Sequence, residues 1–282
     1  MMDQNIGLFH NPTFLPTWAN LNWGVYAIKS ENGPLAGSFG AVLPSKNIKA
    51  IVRADFSSTV AVEFYASRLA RFLGLPAPAV QVINLIVFEH LEKDSPLGAL
   101  VCLVPSTEAD WILTADSEKI ESAGIDLEIV ARIKAFELWS NQTGSEYGKF
   151  RLTSEGIPFT VDHQDAFFFS EYGLMDVPLS PSKQEIEKLL PDEKQRSIAK
   201  TFYEEIRNKK LEIQAFIKHI THDDEVNFAP VVLPLHPMFF LLAEGLNSIV
   251  SVRIWDESRE NELFHPSINV RSFYDNYFQA MG

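Results

Sequence analysis

The sequence predicts an α+β fold in two parts, a small β-rich part followed by a mostly helical part. Two observations carry this prediction. From about Val25 to Val104, apolar and polar residues alternate with the period of strands, and one helical stretch interrupts them. Beyond Pro105, apolar residues recur mostly at the three- and four-residue spacing of helices. We therefore expect two lobes, residues 1–105 and residues 106–282.

Composition places the chain among soluble globular proteins. Its 282 residues are 46% hydrophobic and 22% charged, which is enough apolar material for a full core. The net charge of −13 argues against a nucleic-acid surface, because neutralising phosphates requires clustered Lys and Arg. The single cysteine, Cys102, lies in an apolar run, which favours a buried structural thiol over a reactive one.

The sequence shows neither a signal-peptide pattern at its start nor about eighteen uninterrupted apolar residues. The apolar segment from Ala229 to Ala243 is interrupted by prolines and a histidine. The expectation is a cytoplasmic protein that does not contact a membrane, and secretion without a cleavable signal stays open.

The first part begins with a glycine-rich hairpin. Residues 23–43 are rich in β-type residues around Gly37-Ser38-Phe39-Gly40, where we predict the turn. The next strand runs from Ile48 to Arg53 and so ends in a cation. A helix from Val60 to Leu73 follows, because its apolar residues recur at helical spacing, and residues 57–59 offer N-cap side chains.

A strand pair, residues 82–90 and 97–104, closes this part. In the second part we predict a helix ending near Asn141, a short strand pair at residues 149–152 and 157–161, a capping box at Ser182–Glu185, and one or two long amphipathic helices from Ile198 to Ile217. The aromatic residues of segment 226–282 are expected in the core more than at an interface, and the role of this segment stays open.

The first part carries the residue types of a nucleotide-phosphate clamp. Glycines such as Gly37 and Gly40 let backbone amides, including that of Ser38, approach phosphate oxygens closely. Such a clamp also needs a cation and a carboxylate that fixes the direction of the cation, and Arg53 and Glu63 follow in that order. The plainer interpretations are a simple hairpin turn for Gly37–Gly40 and an ordinary ion pair for Arg53 and Glu63.

The segment from Ile48 to Ile83, IKAIVRADFSSTVAVEFYASRLARFLGLPAPAVQVI, resembles the N-lobe of the actin-fragmin kinase and HipA-like branch of the protein-kinase-like superfamily. The family shows a strand ending in Lys, a Ser-rich loop, a Glu-bearing helix and a Gly-hydrophobic-x-x-Pro exit. The resemblance covers residues 24–170. It implies a two-lobed kinase-like fold that binds ATP and Mg²⁺. It places Arg53 at the ATP-phosphate Lys of the family and Glu63 at the carboxylate partner of that Lys.

The resemblance also reaches the catalytic loop, where this chain departs from the family. Residues 135–144 resemble the approach to that loop, and Asn141 matches. Thr143 stands where the catalytic Asp is expected, and Gly148 or Lys149 where the metal-binding Asn is expected. A Thr hydroxyl cannot accept the proton of a substrate as a carboxylate does. The sequence therefore predicts weak, absent or altered phosphoryl transfer.

A further element of the resemblance is the aliphatic strand that runs into Asp162-His163-Gln164-Asp165. In the family such a strand ends in an Asp that binds Mg²⁺, which makes Asp162 the predicted metal ligand. Asp165 is the candidate for a second ligand or a replacement base. The plainer interpretation is a solvated acidic turn. Zinc is not expected at His163, because no His or Cys stands at ligand spacing.

Three functions are compatible with these residues. The first is a kinase-like nucleotide-binding protein with a degenerate catalytic loop, a pseudokinase in the extreme case. The second is an active Ser/Thr phosphotransferase of the HipA-like type in which Asp165 or Glu146 acts as the base. The third is a protein-binding scaffold that uses no nucleotide. The expected partners are a nucleotide and a protein substrate or partner, without nucleic acid or membrane.

Overall fold

A computed structural model describes residues 24–30, 33–43, 48–53, 57–84, 97–102, 116–142, 150–160, 163, 166–170, 173–174, 176–222, 237–258 and 263–264. Its first part contains a five-stranded antiparallel sheet with the strand order β1-β2-β3-β5-β4. The strands are β1 (Gly24–Ser30), β2 (Gly33–Leu43), β3 (Ile48–Arg53), β4 (Val80–Asn84) and β5 (Leu97–Cys102). The predicted pairing of the last two strands is confirmed.

Helices dominate the rest of the described chain. They are α1 (Ser57–Phe72), α2 (Ser117–Ser122), α3 (Leu127–Ser140), α4 (Lys183–Leu189), α5 (Glu193–Asn208), α6 (Lys210–His222) and α7 (Pro237–Val252). Short strands pair between them: β6 (Arg151–Leu152) with β7 (Pro158–Phe159), β8 (Phe169–Ser170) with β9 (Gly173–Leu174), and β10 (Val177–Pro178) with β11 (Leu263–Phe264). The fold is thus α+β, helix-rich, with small antiparallel sheets. The amphipathic stretch from Ile198 forms two helices, which Lys209 separates.

The glycines of the first hairpin lie within a strand. Gly37–Gly40 belongs to β2, which pairs with β1 on one side and β3 on the other. Ser30, the last residue of β1, pairs with Gly33, the first residue of β2. The turn predicted at Gly37–Gly40 is therefore wrong. The Asn32-Gly33 dipeptide is a stronger hairpin signal, because both residue types tolerate the backbone of a tight turn.

Helix α1 is buried on every side. It begins at Ser57 instead of Val60, so the predicted capping residues form its first turn. It ends at Phe72, one residue before the predicted end, and the predicted terminator Gly74 follows with a φ of 80°, which is accessible to glycine at low cost. From Val60 to Arg71 every side chain is buried, because α1 contacts strands β4 and β5 as well as α6 and α7. Within α1, the buried Arg71 donates a 3.1 Å hydrogen bond to the carbonyl oxygen of Ala77.

Local capping fixes the helices of the second part. The side chain of Asp126 accepts hydrogen bonds from the first amides of α3, and Asp192 does the same for α5. The capping box predicted at Ser182–Glu185 is confirmed, with both of its reciprocal bonds present at the start of α4. Helix α3 ends at Ser140, as the sequence predicted, and Asn141 is its C-cap.

One cluster of buried side chains runs through both parts of the chain. It includes Phe64 of α1, Trp139 of α3, Phe202 of α5, Ile217 of α6 and Phe239 of α7. Phe239 is 1% exposed, which confirms the expected core position for an aromatic residue of the C-terminal segment. The lobe boundary at Pro105 stays a prediction, because residues 103–115 lie outside the described ranges. Within those ranges, no helix is both long and apolar enough to cross a membrane.

Candidate functional site

Glu63 connects helix α1 to the segment that contains the predicted metal ligand. Its side chain is 3% exposed, and its Oε2 accepts a 2.9 Å hydrogen bond from the backbone N–H of His163, which is 100 residues away in the sequence. A buried carboxylate requires such partners, because an unpaired charge away from water is strongly unfavourable. The contact fixes the residue that directly follows Asp162.

Further contacts hold Thr160, which follows β7, and His163. The backbone N–H of Thr160 donates a 3.0 Å hydrogen bond to the carbonyl oxygen of Pro76, in the loop that follows α1. The imidazole Nε2 of His163 lies 3.2 Å from the hydroxyl oxygen of Thr160, and the ring meets Phe136 of α3 edge-on at 5.8 Å. His163 is 1% exposed. Thr160 and His163 are therefore held by contacts with α1, the loop that follows it and α3.

The following turn is attached to the C-terminal end of α3. The N–H of Ala166 donates a 3.1 Å hydrogen bond to the carbonyl of His163, and the N–H of Phe167 donates a 2.5 Å hydrogen bond to the carbonyl of Ser140. The rings of Phe167 and Trp139 also meet edge-on at 6.1 Å. Ala166 and Phe167 are thus bound to His163 and to the end of α3.

Unusual backbone conformations gather at this junction. Among the described residues, the non-glycine positions with positive φ are Asn141 (54°), Phe167 (66°) and Phe168 (56°). Asn tolerates this left-handed region, whereas a Phe there costs roughly 1–2 kcal/mol. Because Phe167 is hydrogen-bonded to Ser140, all three positions belong to one place in the fold. Strained backbone of this kind concentrates at functional sites, where the surrounding structure maintains it.

Arg253, which follows helix α7, binds the same junction. Its guanidinium donates hydrogen bonds to the carbonyl oxygens of Leu138 (2.6 Å) and Trp139 (3.1 Å), and a further one to that of Pro178. The charge also lies 5.0 Å from the ring centroid of Phe168. Sequence analysis missed this residue. The signal that could have found it is a single cation between apolar neighbours, in the run Val252-Arg253-Ile254-Trp255.

The sheet brings the predicted phosphate-binding residues of the first part side by side. Arg53 is the last residue of β3, and its backbone pairs with that of Ser38 in β2. This register places the cation position next to the Gly37–Gly40 segment. The structure describes the backbone of Arg53 and of Gly37–Gly40. For Glu63 it describes both the backbone and the side chain.

Several predicted residues lie outside the described ranges. They are Asp162 and Asp165, together with Thr143, Glu146, Gly148 and Lys149 of the altered loop. Their roles stay predictions. Within the described part of the chain, no group of three or more His, Cys, Asp or Glu side chains is arranged to hold a metal ion.

No family model and no curated protein matches the chain. Among solved structures, one described as the structure of hydra Fam20 with sugar is similar to it. The alignment covers 91% of this chain and 99% of the other, with 11% sequence identity and a TM-score of 0.41. A likeness at this level supports no conclusion about the fold or the function of this chain.

Proposed function

We propose that this chain is a kinase-like nucleotide-binding protein of the HipA-like type, with an altered catalytic loop. It would bind ATP with Mg²⁺ between the five-stranded sheet and the segment that follows β7. The observation that supports this most is the hydrogen bond from the His163 amide to the Glu63 carboxylate. It joins the helix of the proposed phosphate clamp to the residue beside the proposed metal ligand.

This contact favours the proposal over the plainer interpretations. A solvated acidic turn after β7 would not need a neighbour that is 1% exposed and bound to a buried carboxylate, as His163 is. An ordinary ion pair within the first part would not need Glu63 to reach a residue 100 positions away. The strained backbone of Phe167 and Phe168 lies on the far side of the same segment, which further favours a functional role for it.

Each residue then has a distinct role in the proposal. The backbone amides of Gly37, Ser38 and Gly40 would approach the phosphates, and Arg53 would contact them through its planar fork. Glu63 would fix the direction of that fork. Asp162 would hold the divalent cation, because a hard cation prefers carboxylate oxygens. Nothing in this arrangement requires a catalytic base.

Catalysis is the weaker half of the proposed function. Thr143 cannot act as a base in the manner of an Asp, and neither Gly148 nor Lys149 offers a side-chain oxygen to a metal. Losing a general base slows a reaction by about 10²–10⁴-fold. Asp165, which directly precedes Ala166 in the sequence, or Glu146 would be the carboxylate that substitutes for it. We therefore expect nucleotide binding with little ordinary protein-kinase activity.

Thermal denaturation with and without ATP and Mg²⁺ or Mn²⁺ tests the binding proposal. A ligand at a hundredfold over its Kd stabilises the folded state by about 2.7 kcal/mol, which raises the melting temperature measurably. The Asp162→Asn variant should lose the metal-dependent part of the rise. The matched control is Asp176→Asn at an exposed position, which should keep it. If millimolar nucleotide with either metal leaves the wild-type melting temperature unchanged, the proposal is wrong and the scaffold function is favoured.

Incubation with γ-labelled and α-labelled ATP in parallel then separates the catalytic alternatives. The proposal expects a thermal shift with little incorporation of either label. Strong γ-label incorporation that survives Asp165→Ala but not Asp162→Ala would identify a working kinase that needs no replacement base. Incorporation of the α-label would instead indicate transfer of the nucleotide itself, which is a different chemistry.

A further inference from the structure

Arg253 occupies a position that only a guanidinium can fill. Its Nη2 and Nε donate to two consecutive carbonyls, those of Leu138 and Trp139, while Nη1 donates to Pro178. The carbonyls in the last turn of a helix lack the usual amide partner four residues on, although the Leu138 carbonyl also accepts a 3.3 Å bond from the Asn141 N–H. A cation there also meets the negative end of the helix dipole. A Lys ammonium could satisfy part of this set from a single point, but it lacks the planar fork.

The same guanidinium supports the strained turn on the other side. It stacks over Phe168, whose φ of 56° is unfavourable for a Phe, and Arg253 itself is 5% exposed. Phe167 next to it is bonded to Ser140. Arg253 therefore contacts both sides of the hydrogen bond between Phe167 and Ser140. It holds the end of α3 and the Phe167–Phe168 turn in a fixed position relative to each other.

We propose that Arg253 is a positioning residue that sets the relation between the end of α3 and the Phe167–Phe168 turn. These two places border the segments that carry Thr143 on one side and Asp165 on the other. Arg253 would thus determine the shape of the nucleotide site through the backbone, without touching the ligand. This last step rests on the proposed function, whereas the positioning of the backbone does not.

The experiment compares the buried Arg253 with Arg132, a half-buried Arg that joins two helices. Arg132 is on α3, pairs with Glu205 of α5 at 2.8 Å and lies 4.9 Å from the ring centroid of Phe202. In the described part of the chain, its contacts are with Glu128, Glu205, Leu73 and Phe202, all away from the junction. The variants Arg253→Lys, Arg253→Met, Arg132→Lys and Arg132→Met are compared at urea concentrations that equalise their free energies of unfolding.

The first measurement is amide hydrogen exchange at Gln142 and Phe167, whose N–H groups bond to Glu137 and Ser140. In both Arg253 variants we expect exchange about tenfold faster or more, because a released junction opens locally without global unfolding. In the Arg132 variants it should be unchanged. The positioning role is overturned if exchange at these two amides is equally slow in all variants. It is also overturned if exchange rises as much in the Arg132 variants as in the Arg253 variants.

If Arg253→Met does not fold, Arg253→Lys still tests the proposal. So does Phe168→Leu, which keeps the three carbonyl bonds and removes the ring beneath the charge. Exchange at Phe167 should rise in Phe168→Leu, and exchange at Gln142 should rise less. An unchanged rate at Phe167 would contradict the support assigned to the stacking contact.

The second measurement is the Kd for ATP with Mg²⁺. It should rise by about tenfold or more in Arg253→Lys and stay at the wild-type value in Arg132→Lys, since small misplacements in a site are costly. If the wild type binds no nucleotide, the proposed function fails while the exchange rates still decide the positioning role. If exchange rises and the Kd does not, Arg253 shapes the junction only, and its link to the site is wrong.

Discussion

At the scale of single residues, the molecule depends on a few buried polar side chains that bind backbone groups. Glu63 accepts from the His163 amide, and Arg253 donates to carbonyls at the end of α3. A buried backbone group that loses its partner costs about 1–3 kcal/mol, so these contacts specify one arrangement of distant segments. In this chain Glu63 binds His163, and Arg253 stacks on Phe168.

The roles of Glu63 in stability and in binding can be separated with two variants. Glu63→Gln keeps an oxygen for the His163 amide, whereas Glu63→Leu leaves that amide buried without its partner. We expect the Gln variant to be more stable than the Leu variant by about 1–3 kcal/mol in urea denaturation. Both should lose the nucleotide-dependent thermal shift, because both lack the charge.

The matched control for these variants is Glu244→Gln at an exposed position of α7. Its free energy of unfolding should stay within about 0.5 kcal/mol of the wild-type value. Equal stability of the Gln and Leu variants at position 63 would show that the hydrogen bond to His163 does not contribute.

At the scale of elements, α3 organises the second part, and its contact with α5 contains a buried cation. Lys134 is 1% exposed, and its Nζ donates a 3.0 Å hydrogen bond to the Oε1 of Gln195 in α5. The carboxylate of Asp192, the N-cap of α5, also accepts two 2.7 Å hydrogen bonds from Ser117 of α2, one from the backbone N–H and one from the hydroxyl of Ser117. These polar contacts, together with the Arg132–Glu205 ion pair, fix the mutual register of the three helices.

The burial of Lys134 predicts a dependence of stability on pH. Burial lowers the pKa of Lys134 from 10.5 to about 8, although nearby carboxylates, Glu137 first among them, partly oppose this. Above about pH 8 the folded protein has released a proton that the unfolded chain still holds, so stability rises with pH. Between pH 8 and about pH 9.5 this contribution should add roughly 1–2 kcal/mol to the free energy of unfolding.

The measurement is urea denaturation of the wild type and of Lys134→Met across that range. As the pH rises, the free energy of unfolding of the wild type should increase relative to that of Lys134→Met. The exposed control Lys200→Met should show the same pH dependence as the wild type. The range ends there because burial raises the pKa of Tyr65 and Tyr203, whose ionisation in the unfolded chain lowers stability at higher pH. A difference that does not change with pH would show that Lys134 keeps an ordinary pKa.

At the scale of the whole molecule, the C-terminal segment completes the core of the first part. The ring of Phe239 in α7 lies 5.8 Å from that of Phe64 and 6.0 Å from that of Tyr65, both in α1. The hydroxyl of Tyr65 donates a 3.2 Å hydrogen bond to the carbonyl of Phe239 and lies 2.6 Å from the hydroxyl oxygen of Thr221 in α6. Helix α1 is therefore packed by residues from the far end of the chain.

This packing predicts that Phe239→Ala destabilises the whole protein. The loss should be about 3–5 kcal/mol, because the ring is fully buried and its neighbours can only partly fill the cavity. The measurement is urea denaturation followed with one probe for helices and one for tertiary structure. Leu211→Ala is the control, since Leu211 is 77% exposed and its loss should cost less than about 0.5 kcal/mol.

If the two proposed lobes unfold independently, the probes will give separate transitions, and Phe239→Ala will shift only one of them. A single transition that moves as a unit is the result expected from the shared core. An effect of Phe239→Ala no larger than that of Leu211→Ala would contradict the placement of α7.

Local chemistry in the sequence determined the elements whose signals lie within a few residues. The capping box at Ser182–Glu185 and the C-cap at Asn141 are of this kind, because a cap is satisfied by amides and carbonyls of the same turn. Where two local signals competed, the prediction was wrong. Gly37–Gly40 was assigned to the turn, whereas these residues lie within β2, and the Asn32-Gly33 signal went unused.

Helix α7 shows a second limit of local patterns. The prolines of this region interrupt its apolar pattern, and the pattern therefore predicted no helix there. The helix nevertheless begins at Pro237, because a proline at the first helical position loses no hydrogen bond. The order of hairpin, strand, helix and strand pair in the first part was predicted from periodicity and is confirmed. Periodicity could not show, however, that α1 would be buried on all sides, because that depends on which elements pack around it.

Only the tertiary structure decided what surrounds the candidate site. The bond between Glu63 and His163 spans 100 residues, and that between Arg253 and Trp139 spans 114. No local pattern encodes such pairs, because a buried charge is tolerated wherever the fold supplies matching backbone groups, and those groups carry no sequence signature. The sequence thus determined the residue types available for the proposed phosphate and metal site. The fold determined that the segments bearing them are bound together, because only long-range packing brings α1, the end of α3 and the turn after β7 to one place.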